Sequence, residues 1–153
     1  MSEYRISRNF ELGETEVQSL IRAAIAARDK AYAPYSKFKV GAAILCSDGR
    51  VFCSCNVENA AYGAGICAER GAGMQALAEG ARDFSAIAVV GWRDGIEEQE
   101  RGLSYPCGIC RQFLNEFTDG RMRVFVARST TDYEENDLAN LLPHSFGPQN
   151  LDD

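Results

Sequence analysis

Apolar residues first recur at helical spacing over residues 15–31, where Val17, Leu20, Ile21 and Ala24 share one stripe. Thr15 and Gln18 fit a capping box at its start, and Pro34 marks a stop. The pattern then shortens to strands at 38–46 (FKVGAAILC) and 51–56 (VFCSCN). Asp48-Gly49 lies between them and signals a hairpin. A glycine-containing loop over 57–66 leads into a helix from Cys67 to about Glu79, ended by Gly80. A buried strand is expected at 84–91, a polar loop at 92–105, and a helix from Cys107 to Phe117 with Cys110, Phe113, Leu114 and Phe117 on one face. Residues 123–128 read as a strand and 129–137 as polar and weakly patterned, with a short helix over 137–142. The order α-β-β-α-β-α-β implies a three-layer α/β domain with a mixed sheet.

Two cysteines, Cys67 and Cys107, fall at expected helix starts directly after a loop. A helix N-terminus presents free N–H groups and partial positive charge, and it favours thiolate in a nearby cysteine. Two such ends facing each other would hold three thiolates, those of Cys67, Cys107 and Cys110, on one ion.

Composition narrows the setting. The 153 residues suit a single domain over 1–153, with 1–13 a poorly ordered or peripheral tail. A net charge of −6 with no basic cluster makes long polyanions such as DNA or RNA poor partners. There is no apolar run of transmembrane length, and the polar start MSEYRISRNFELGE lacks a secretory core, so a cytoplasmic address is expected, with no membrane partner. Without a secretory signal, the six cysteines are better read as metal-binding or catalytic than as a disulfide framework.

Cys107-Gly108-Ile109-Cys110 alone is ambiguous, because six cysteines in 153 residues give a C-x-x-C by chance about 0.2 times. It fits a thiol redox module or a zinc site. Cys67-Ala68-Glu69 changes the balance. A thiolate followed two residues later by a non-ligating glutamate, then P-C-x-x-C, is the arrangement of zinc deaminases. Three thiolates leave the fourth tetrahedral position open, which is catalytic rather than structural zinc coordination. Cys53 and Cys55 share one strand face and Cys46 ends the neighbouring strand, so these three read as structural cysteines. Glu69 would move protons between water, the ring nitrogen and the departing amine. Arg70 would offset the excess negative charge of three thiolates on a divalent ion. His144, the sole histidine, reads as a loop residue outside any metal set.

The segments YSKFKVGAAIL (35–45), NVENAAYGAGICAER (56–70), PCGICRQ (106–112) and LLPHSFGPQNL (141–151) together resemble the small, homotetrameric, three-cysteine class of cytidine deaminases. The resemblance implies hydrolytic deamination of cytidine and deoxycytidine in pyrimidine salvage, with one Zn2+ per subunit. It implies a three-layer α/β/α sandwich with a five-stranded mixed sheet, although TTDYEEND (130–137) is too polar to advertise the fifth strand. Asn56 and Glu58 would hold the ribose 3′-hydroxyl, and the Glu58 charge would favour a nucleoside over a nucleotide. Phe38 and Phe146 would contact the pyrimidine, Phe146 from a neighbouring subunit of a homotetramer; Tyr62 would line the site from another subunit, and Ala68 would bind substrate. Gly71 departs from the family, where a side chain is usual, and would weaken the helix by about 1 kcal/mol relative to alanine. Rival readings are a deaminase of an aminonucleoside antibiotic, which would lack the ribose-reading pair, and a structural zinc module.

Overall fold

A computed structural model describes residues 4–5 and 12–152. Its elements are β1 (Tyr4–Arg5), α1 (Glu14–Arg28), β2 (Phe38–Cys46), β3 (Arg50–Cys55), α2 (Ala68–Ala78), β4 (Phe84–Arg93), α3 (Gly108–Asn115), β5 (Arg123–Ala127), β6 (Tyr133–Asp137) and α4 (Leu138–Leu141). β2 to β6 form the five-stranded mixed sheet, and β1 extends it at one edge, in the order β1-β3-β2-β4-β5-β6. Among the described strands, only β4 and β5 pair in parallel, joined by the crossover through α3. Most of the expected tail over 1–13 lies outside the described residues; its Tyr4 and Arg5 pair with Val51 and Arg50. No described helix is long and apolar enough to cross a membrane.

Side-chain alternation builds the three layers. Ala43 and Leu45 of β2, with Ala86, Ala88 and Val90 of β4, face Val17, Leu20, Ile21 and Ala24 of α1. Ala42, Ile44 and Cys46, with Ile87 and Val89, face Ala68, Ala72 and Ala76 of α2, Leu114 of α3 and Leu138 of α4. The hairpin between β2 and β3 turns at Gly49, whose φ of 87° needs glycine, and Gly49 N–H donates to the Cys46 carbonyl at 2.9 Å.

Three expectations are corrected. Thr15 and Gln18 form no capping box: Gly13 is the N-cap without a side-chain cap bond, so Thr15 already lies inside α1 and Gln18 Nε2 donates to Glu14 Oε1. The strand expected at 84–91 runs on to Arg93, because Trp92 is buried with the guanidiniums of Arg28 and Arg101 over its ring at 4.6 and 4.0 Å. Gly71 is a close approach rather than a weakness. A Cβ there would come within 2.5 Å of Ser54 Oγ and 3.0 Å of Ser54 Cβ, so its absence lets α2 lie directly on β3.

Candidate active site

The chain forms this site at two helix starts. Cys67 is the N-cap of α2 and Cys107 the N-cap of α3, both with extended backbone, and neither makes a side-chain cap bond. Their Sγ atoms lie 3.9 Å apart, Cys107 Sγ lies 3.5 Å from Cys110 Sγ, and all three sulfurs fall within 4.8 Å of one another. All six cysteines are free. Tetrahedral zinc with Zn–S bonds of about 2.3 Å needs sulfurs about 3.8 Å apart, so this donor set fits a zinc ion with little movement. Hydrogen bonding from Cys110, joined by Arg70, holds the Cys67 thiol down at about 5, whereas Cys110, bonded to the Cys67 sulfur and buried, is pushed up. Arg70 points a guanidinium nitrogen at Cys67 Sγ from 3.8 Å. Burial drives Cys46 up to about 12 and Cys53 up to about 11, keeping both as neutral thiols.

Glu69 is 4 % exposed, in the first turn of α2 beside these sulfurs. Burial pushes its carboxyl up to about 7, and the Cys67 thiolate adds to the rise. A carboxyl at that value both takes and gives a proton near neutral pH. Glu69 lines a cavity of about 190 Å³ with Phe38, Asn56, Cys67, Ala68, Cys107, Val40, Val89, Ser104 and Tyr105.

A second cavity of about 440 Å³ shares Asn56 and Cys67 with the first and adds Glu58 and Tyr62. Asn56 is held by β2: its Oδ1 accepts from Val40 N–H at 2.8 Å and its Nδ2 donates to the Phe38 carbonyl at 2.9 Å. One amide hydrogen and one lone pair remain to face a ligand. Glu58 Oε1 accepts from the N–H groups of Tyr35 and Ser36, each at 3.0 Å. The Ser36 hydroxyl first, then these backbone groups, hold its carboxyl below the usual range. Lys37 takes the left-handed φ of 60° in the turn that delivers Phe38 to the start of β2.

Thus ten of the eleven expected residues surround two adjoining cavities or, for Cys110 and Arg70, the sulfur cluster. Phe146 lines neither cavity. It is 60 % exposed, and its carbonyl accepts from Gln112 Nε2 of α3 at 2.9 Å. Tyr62 lines the larger cavity yet is 80 % exposed. Sequence reasoning missed Ser104 and Tyr105, which it left in a polar loop. Their position immediately before Pro106-Cys107 was the available signal.

Comparison with known proteins converges on one chemistry. Residues 14–127 match the family described as the cytidine and deoxycytidylate deaminase zinc-binding region. The chain is 43% identical over 136 residues to a cytidine deaminase of Sporosarcina psychrophila, covering 89% of this chain and 95% of that one. It is equally similar to a cytidine deaminase of Halalkalibacterium halodurans, covering 98% of it. Among solved structures it resembles cytidine deaminase from Burkholderia pseudomallei, with TM-score 0.74 and 48% identity over 84% of this chain and 97% of that one. The enzyme from Mycobacterium tuberculosis gives 0.71 and 36%, over 84% and 95%.

Proposed function

From the premise that the chain belongs to the zinc-binding cytidine and deoxycytidylate deaminase family, we propose that it hydrolyses free cytidine and deoxycytidine. Water replaces the 4-amino group, giving uridine or deoxyuridine and ammonia, as a step of pyrimidine salvage in a reducing, cytoplasmic setting. The observation that carries this reading is the set of three sulfurs at zinc spacing beside a buried carboxyl poised near neutrality.

Cys67, Cys107 and Cys110 would hold one Zn2+ per subunit, which would supply Lewis-acid activation of water. Glu69 takes a proton from the attacking water and delivers it to ring N3, then takes the remaining proton of the hydroxyl added at C4 and delivers it to the departing amine. Arg70 draws negative charge from the thiolates by bonding to Cys67. Asn56 and Glu58 hold a ribose hydroxyl, which both donates and accepts, and the ionised Glu58 repels a phosphate placed there. Phe38 and Ala68 contact the pyrimidine. The exposure of Phe146 and Tyr62 supports a homotetramer in which each completes a neighbouring subunit's site.

The test follows the ultraviolet absorbance of cytidine with purified protein, before and after chelation, alongside Glu69→Ala. Turnover is expected to vanish with the metal and return on zinc addition. Glu69→Ala should keep about one zinc per chain and lose at least 10² in rate. Bound zinc without turnover in the unaltered protein would leave only a structural metal module.

A further inference from the structure

Behind the smaller cavity lies a glycine that touches two of its lining residues without lining it. Gly91 sits in β4 opposite Val40 of β2. Its φ lies outside the left-handed region, so space rather than torsion keeps the position empty. A Cβ on Gly91 would stand 2.8 Å from Phe38 Cε1, 2.8 Å from Ser104 Oγ and 3.0 Å from Ser104 Cβ. Ser104 Oγ also donates to the Gly91 carbonyl at 3.0 Å, which seats the serine on the same residue. Phe38 and Ser104 line the cavity of about 190 Å³ that also holds Glu69, Cys67 and Cys107.

We propose that Gly91, by the side chain it lacks, and Ser104, by the one it has, set the room available at the C5–C6 edge of the pyrimidine. The inference rests on the deaminase reading above. Attack at C4 places that carbon at the sulfur cluster, and N3 faces Glu69 from α2. N1 carries the sugar toward Asn56. The C2 carbonyl lies on the N3 side, so the edge turned away from Glu69 is C5–C6. Apart from Asn56 on the sugar side and Val89 of β4, the walls not supplied by α2 and the sulfur cluster come from the start of β2 and the loop before α3, where Phe38 and Ser104 stand. Gly91 is therefore a positioning residue: it lets both side chains settle back onto β4 and leaves the cavity its width. A methyl at 91 drives them forward into the space of a 5-substituent.

The experiment measures Ki for uridine and 5-methyluridine against cytidine turnover, with zinc content, in the unaltered protein, Gly91→Ala and Ser104→Ala. A competing product reports the pocket even where a 5-substituted substrate is not turned over. Gly91→Ala should weaken 5-methyluridine about tenfold more than uridine, the scale of one misplaced methyl in a pocket. Ser104→Ala should shift the ratio the other way while leaving β4 intact, so it reads the same wall if Gly91→Ala does not fold. Equal weakening of both ligands by Gly91→Ala, or an unchanged ratio in Ser104→Ala, overturns the proposal. Absence of cytidine turnover in the unaltered protein would instead overturn the function on which it rests.

Discussion

At Glu58 one carboxylate oxygen is already committed to the turn at Tyr35 and Ser36, so the side chain is aimed before any ligand arrives. Removing the carboxylate deprives a ligand hydroxyl of a charged acceptor. Glu58→Ala is therefore expected to raise KM for cytidine by roughly 10- to 100-fold, with zinc content unchanged; steady-state kinetics and metal analysis read both. Asp94 gives a prediction in pH. It bonds Lys39 Nζ at 2.6 Å and Arg28 at 2.8 Å, and these cations, Lys39 foremost, hold its carboxyl below the ordinary 3.8. A depressed folded pKa stabilises above the unfolded value and is lost as pH falls through the folded one. Asp94→Asn should lower Tm at pH 7, and the gap from the unaltered protein should close in strong acid. Single residues were legible in the sequence where chemistry and spacing are local: Cys67 with Glu69, and Cys107 with Cys110. Ser104 was not, because its place in the cavity depends on β2 pairing with β4, which juxtaposes residues from distant parts of the chain.

Among the elements, α2 shows a local propensity overruled by packing. Replacing Gly71 with alanine favours an isolated helix by about 1 kcal/mol. Here the new Cβ meets Ser54 Cβ at 3.0 Å whatever the serine rotamer, and overpacking costs about 1–3 kcal/mol. The clash wins: Gly71→Ala should lower stability by about 1 kcal/mol in denaturant melts. Adding Ser54→Gly should restore much of it, and a Gly71→Ala chain at full stability would contradict this contact. The elements with an apolar period, α1, β2, β4 and β5, were read within a few residues of their bounds. β6 was not, since Tyr133-Glu134-Glu135-Asn136-Asp137 is half-buried or exposed throughout and carries no hydrophobic alternation. What makes it a strand is its pairing with β5, from Ala127 with Tyr133 to Arg123 with Asp137, and the Arg123–Glu135 ion pair at 2.5 Å.

For the whole molecule, the α/β/α layering was legible because alternation in β2 and β4 feeds two opposite cores. The proposed association has no such signal, since the exposed aromatics Tyr62 and Phe146 come from separate loops and form no sequence period. The proposed sharing of sites between subunits gives a mixing test. Glu69→Ala and Phe146→Ala chains should each be nearly inactive, and co-refolding them should restore activity at about a quarter of the sites, by random assortment in a closed oligomer. No recovery on mixing would argue that each site is complete within one chain. The polarity that conceals β6 also has a consequence for solubility. As the last described strand in the sheet order, it has no strand neighbour on one side among the described residues. An incoming strand would have to settle against Glu134, Glu135 and Asp137, so the border most open to amyloid-like growth is guarded by like-charge repulsion between copies.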